Sequence, residues 1–269
     1  MVENSVLLKA DRQAPFESGN KEASYPAASL YRIRARFLKT DDAIYLSHLD
    51  LARLMQRALA RAGLPVAFTQ GFNPHPRLVF AAALAVGTES RAEYADFFLH
   101  HPVEAVEFQS RLNETLTAGV QILEARSVPL SAPALTGLTR AADYLVLLSA
   151  EVRAAELAAF LEQEEVLLAR EGKATNIRPL ILAAEVVRGG LAAAVAAGDW
   201  KGGEASPPGD VEEGREVFLR LRTGSQGNLR PEDFFAAFNS FAGKHLEVLW
   251  IRRRELWAEK KGQLASLWD

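Results

Sequence analysis

Residues Ser47 to Pro76, SHLDLARLMQRALARAGLPVAFTQGFNPHP, gather two histidines, two glutamines, an asparagine and three evenly spaced arginines in one stretch. Histidine, with an ordinary pKa of about 6.5, exchanges protons near neutrality, so His48 and His75 are candidates for a general acid and base. Arg53, Arg57 and Arg61 fall at i, i+4 and i+8, which on a helix makes one cationic stripe opposite the leucines. Their planar guanidinium forks suit phosphate oxygens. The segment QGFNPHP sets Gln70, Phe72, Asn73 and His75 among a glycine and two prolines. A chain so constrained loses little entropy when it grips a ligand, and Phe72 offers a ring on which a base can stack. Arg77 follows directly and adds a cation. A purely structural reading also accounts for the stretch: Ser47 or Asp50 caps a helix, the arginines solvate its outer face and the prolines turn a corner.

Several chemistries are excluded. The chain has no cysteine, which rules out disulfides, a cysteine nucleophile, zinc–thiolate sites and cysteine-held iron–sulfur clusters. It has no G-x-S-x-G elbow for a serine nucleophile, no P-loop and no dinucleotide-binding glycine signature. His48, His75 and acids such as Asp50 lack the paired spacing of zinc-binding helices, so no metal and no cofactor are expected. A net charge of -3, with 49% hydrophobic and 24% charged residues, describes an ordinary globular chain on which only a local patch can hold phosphates. No run approaches the roughly 20 apolar residues of a membrane span, and the first residues lack the cationic flank and apolar core of a signal peptide. A cytoplasmic location, with no membrane partner, is the expectation.

The elements that must position these residues follow a repeated layout. After a disordered tail over 1–28, YRIRARFLKT alternates as a half-buried strand, with Ile33, Ala35 and Phe37 inward and Arg32, Arg34 and Arg36 adding positive charge outward. Leu51, Leu54, Met55, Ala58 and Ala62 predict a helix of about 14 residues closed by Gly63 and Pro65. VAFT, RLVFAAALAVG and EYADFFLH read as strands, VEAVEFQSRLNETLTAG as a helix and VQILEARSV as a strand. The order then restarts: DYLVLLSA (strand), AAELAAFLEQ (helix), EVLLAR and REVFLRLRTG (strands), RPEDFFAAFNSF (helix), HLEVLWIRRREL (strand). The fold class expected is α+β, two ferredoxin-like βαββαβ domains in tandem, each an antiparallel sheet with its helices on one face. Their boundaries fall at 29–130 and 140–257, with a loop insertion over 189–214. TNIRPLI and GSQGNLRPEDF read as turns and caps with Pro231 at the first helical position, and Arg252, Arg253 and Arg254 as a second cationic patch.

The motifs in SHLDLARLMQRALARAGLPVAFTQGFNPHPRLVFAAALAVGTESRAEYADF, together with NIRPLI, GNLRPEDF and RRRELW, resemble the radical SAM-linked protein family, also called domain of unknown function 2344. The resemblance runs from Tyr31 to Trp257. It implies a companion to a radical S-adenosylmethionine enzyme, here a separate chain, and an RNA setting such as tRNA or rRNA modification. A radical SAM reaction needs a thiolate-held cluster, so a chain without cysteine is expected to act as a non-catalytic accessory that binds RNA or the partner and presents substrate. In that role Arg53, Arg57, Arg61, Gln70, Phe72, Asn73 and Arg77 are the binding residues. The paired ferredoxin-like layout also resembles the CRISPR-repeat-processing endoribonucleases. The alternative is therefore a metal-independent endoribonuclease with His48 as acid or base and Tyr45 or His75 assisting.

Overall fold

The computed structural model describes residues 30–170, 172–187 and 213–268. The tail over 1–28 and nearly all of the insertion over 189–214 lie outside the described residues; Glu213 and Gly214 already belong to a strand. In chain order the elements are β1 (Tyr31–Lys39), a 3-10 turn (Asp41–Tyr45), α1 (His48–Arg61), β2 (Leu78–Phe80), β3 (Thr88–Leu99), α2 (Ala105–Asn113) and β4 (Val120–Val128). A single turn, α3 (Leu135–Leu138), leads to β5 (Thr139–Arg153), α4 (Ala154–Leu161), β6 (Leu167–Arg170), β7 (Lys173–Asn176), β8 (Ile181–Val187), β9 (Glu213–Arg222), α5 (Pro231–Ala242), β10 (Val248–Lys260) and β11 (Gln263–Ser266).

The architecture is mixed α+β, built on one large and mostly antiparallel sheet. Among the described residues its nine strands include the path β4-β1-β3-β10-β5-β9-β8, with β2 beside β3 and β11 beside β10. Two separate sheets were expected; a single one crosses both halves because β3 has two partners along one edge. Its first residues, Thr88–Ser90, pair in parallel with Ile251–Arg253 of β10, and Ala95–Phe97 pair antiparallel with β2. The apolar positions of β1, Ile33, Ala35 and Phe37, meet Leu51, Met55 and Leu59 of α1 and Phe108 of α2 in one core cluster. The other half packs Phe160 of α4 against Phe234 and Phe238 of α5, edge to face, with centroids 5.4 Å apart.

Two strand expectations are corrected. EVLLAR supplies β6, which pairs with β7 in a separate two-stranded hairpin, and the strand beside β9 is β8, ILAAEVV. The run RLVFAAALAVG is strand only over Leu78–Phe80, and VAFT contributes isolated bridges at Val66 and Phe68.

The polar face of β1 is also not open. Arg32 and Arg34 are buried and share Asp96 of β3, with Arg34 Nε 2.9 Å from Asp96 Oδ1. Arg32 Nη1 donates to the Ala132 carbonyl at 2.7 Å, and Arg34 Nη1 to the Leu267 carbonyl at 2.6 Å, so the joint between the halves and the C-terminal turn cover this side of the sheet. Arg36 pairs with Glu255 of β10 at 3.0 Å. Arg252 and Arg253, read from sequence as a solvent-facing patch, are 3% exposed and pair with Glu89 and Glu93, while Arg254 is half-buried. A buried guanidinium needs a partner because its desolvation is otherwise uncompensated. Lys39, equally buried, donates Nζ to the Ile44 and Leu46 carbonyls at 3.1 and 2.9 Å, and burial pushes its pKa down.

Candidate functional site

With those cations committed inside, the exposed basic residues of the first half stand out on α1. Ser47 starts this helix: its hydroxyl accepts from the Asp50 amide at 3.2 Å and donates to the Asp50 carboxylate at 2.7 Å, and that hydrogen bond holds the Asp50 carboxyl below its ordinary pKa. Leu51, Met55, Ala58 and Leu59 face the core. Gly63, at φ +60°, ends the helix, and Arg111 of α2 donates to the Ala62 and Gly63 carbonyls at 2.8 Å each. Arg53, Arg57 and Arg61 are exposed, as their spacing predicts. Arg53 lies 3.3 Å from Asp50, and Arg61 donates to the Thr115 carbonyl at 2.6 Å, so both are oriented without being buried.

Beyond α1 the chain forms an arm over 66–80 that folds back on itself and lies along β3. Val66 bridges to Leu99, Phe68 bridges to Pro76, and the Arg77 amide donates to the Ala67 carbonyl at 2.7 Å. At its tip the Thr69 amide donates to the His75 carbonyl at 2.9 Å, and the His75 amide donates to the Thr69 hydroxyl at 3.2 Å. The His75 ring Nδ1 lies 3.2 Å from that hydroxyl and 3.3 Å from the Asn73 carbonyl, which fixes the ring. Gly71 sits at φ +125°, a conformation side chains rarely adopt. Gln70, Phe72, Asn73, His75 and Arg77 are all exposed, and Phe72 has no shielding at all. The Arg77 guanidinium lies 4.2 Å from the centroid of the Phe98 ring.

Two adjoining clefts open against this arm. One, of about 420 Å³, is walled by Ala60 and Leu64 from the end of α1, by Pro65, Val66, Phe68 and Pro76, and by His100 and His101 beyond β3. The other, of about 440 Å³, is lined by Leu30, Ala67, Phe68, Thr69, Gln70, Arg77 and His100. Phe68 and His100 belong to both. Ala60 lies three residues from Arg57 on one helix face, so the cationic stripe runs up to the first cleft.

The fold thus gathers Gln70, Phe72, Asn73, His75 and Arg77 on the arm, leaves Arg53, Arg57 and Arg61 exposed on α1, whose Ala60 walls the first cleft, and separates His48 from His75. The His48 ring packs edge-on against Phe80, with centroids 5.1 Å apart, at the base of the arm, whereas His75 is at its tip. At about 3.3 Å per extended residue, the five residue steps from His75 to Phe80 span roughly 16 Å. Tyr45 is exposed in the turn before α1. Asn176 and Arg178 of TNIRPLI bond the backbone around them: Asn176 Oδ1 accepts from the Val166 and Arg178 amides at 3.1 and 3.0 Å. Arg230 is the N-cap residue of α5, with Pro231 at its first position. Among the described residues no three His, Cys, Asp or Glu side chains come together as metal ligands.

Phe68, His100 and His101 line these clefts but are not among the residues the sequence motifs single out: Phe68 lies in the strand-like run VAFT, and the adjacent pair His100-His101 directly after β3 is the signal in the sequence that could mark them.

The molecule is therefore a mixed α+β protein whose first half carries an exposed aromatic and basic arm beside two clefts. Residues 32–231 match the family described as an uncharacterized protein conserved in bacteria, DUF2344, and the chain belongs to that family. No curated protein matches the chain. No helix among the described residues is long and apolar enough to cross a membrane.

Proposed function

We propose that the protein is a non-catalytic binding subunit that holds single-stranded RNA, from tRNA or rRNA, for a separate radical SAM enzyme. One observation carries the reading: the arm exposes Phe68, Phe72 and Arg77, and the cleft beside Phe68 is walled in part by Ala60 of the helix that carries the exposed Arg57 and Arg61. Readers of single strands combine aromatic platforms, on which unpaired bases stack, with cations that follow the phosphates. The roughly 16 Å between Phe80 and His75 favours binding over the endoribonuclease alternative, in which His48 and His75 would serve one reacting phosphate. The radical SAM partnership rests on the sequence resemblance, and the lack of cysteine assigns the cluster and its radical to the partner. In this reading the strand runs β4-β1-β3-β2 and β10-β5-β9-β8 are two ferredoxin-like units joined edge to edge, with the first carrying the RNA site. Recovering the protein under gentle conditions from the cells that make it, then identifying what accompanies it, tests the proposal. Co-purification of a radical SAM enzyme together with RNA is the expected outcome; recovery of neither overturns it.

A further inference from the structure

We infer that the paired clefts beside Phe68 are consecutive subsites for one step of single-stranded RNA, two bases and the phosphate that joins them. The inference rests on the RNA-binding reading and goes further by naming the unit of recognition. Phe68, 51% exposed, lines both clefts, so a ligand in either one adjoins it. The first cleft is walled mainly by apolar side chains, Leu64, Pro65, Val66 and Pro76 among them, and suits the face of a flat ring. The second carries Thr69, Gln70 and Arg77, whose donors and acceptors suit a base edge and an anion.

His100 also lines both clefts, and the proposal therefore sets it beside the linking phosphate. Stacking against Phe98 fixes the Arg77 guanidinium, and no carboxylate among the described residues pairs with it, so its donors remain available to that phosphate. Volumes of about 420 and 440 Å³ are each in the range of small-molecule pockets, about 300–1,000 Å³. A duplex keeps its bases paired and stacked and presents none to such clefts, which assigns them to an unpaired strand.

Titration of the full chain with three probes tests this: adenosine monophosphate, the dinucleotide ApA and an unstructured RNA 12-mer. The dinucleotide should bind about tenfold or more tightly than the mononucleotide, the gain expected from a second stacked base. Phe68→Ala should abolish that advantage and Phe68→Trp should preserve it, while Leu167→Ala, on the distant β6–β7 hairpin, should change nothing; an unchanged melting temperature verifies each fold. Equal affinity for the two small probes, or a Phe68→Ala protein that still prefers the dinucleotide, overturns the paired subsites. If the 12-mer nonetheless binds through Arg53, Arg57 and Arg61, the RNA-binding reading survives alone; if it does not bind, both fall.

Discussion

Replacing Glu93 with glutamine removes one charge from the seam where β3 meets β10 and should destabilise the whole molecule. Arg253 Nη1 lies 3.0 and 3.1 Å from the two Glu93 carboxylate oxygens, and the two side chains are 4% and 3% exposed. Burial pulls the guanidinium pKa down, and the charge of Glu93, followed by Tyr144, outweighs that and holds it up. Taking away one member of such a pair costs about 3–5 kcal/mol, because the remaining charge stays desolvated with nothing to offset it. Glutamine keeps an oxygen acceptor and Arg253 Nη2 keeps the Ala83 carbonyl at 2.9 Å, so the loss should fall near the lower end, about 3 kcal/mol. At roughly 2–4 °C per kcal/mol for chains near this size, the thermal midpoint should drop by roughly 6–12 °C. Urea and thermal unfolding followed by fluorescence of Trp250, Trp257 and Trp268 reads this directly. The double replacement Glu93→Leu with Arg253→Met should recover most of the loss, since it removes the buried charges together. A Glu93→Gln protein within about 0.5 kcal/mol of the parent would refute the role given to the seam.

Other expectations follow from the same geometry. Gly119 sits at φ +81°, and a β-carbon there would come within 2.4 Å of the Thr40 carbonyl oxygen, so Gly119→Ala should cost about 2 kcal/mol or more in chemical denaturation. Glu156 of α4 is bonded by Arg153 and by Lys244 beyond α5, and these contacts, the Arg153 hydrogen bond first, hold its carboxyl at about 2, below its ordinary value of 4.5. A carboxyl whose folded-state pKa is depressed contributes stability above its unfolded pKa and loses it as pH falls through the folded one. Stability should therefore decline between about pH 4.5 and 2, and Glu156→Gln should flatten that part of an acid-unfolding profile.

What the sequence made legible was what local signals decide. Ser47 as a cap, leucines at helical spacing and Gly63 bounded α1, and β4 and α5 declared themselves by alternation and by Pro231. The fate of the arginines was hidden because their partners are far along the chain: Asp96 is 62 residues from Arg34, and Glu93 is 160 from Arg253. Alternation marks a polar face without saying whether solvent or buried carboxylates meet it. The choice of β8 over EVLLAR as the strand beside β9 was likewise settled by a long-range pairing between two segments of similar composition. The polar and aromatic tip of the arm could be read from its residue types. The separation of His48 from His75 could not, because it depends on the extended path between Phe80 and the tip.

The most direct test of the central claim is the salt dependence of binding an unstructured RNA 12-mer to the full chain, compared with the variant in which Arg53, Arg57 and Arg61 are all alanine. For single strands the slope of log affinity against log salt is about -0.7 per phosphate contact, so losing three contacts should make it shallower by about 2, with weaker binding at low salt. Identical slopes and affinities for the two proteins, or no binding by the parent, would contradict the account.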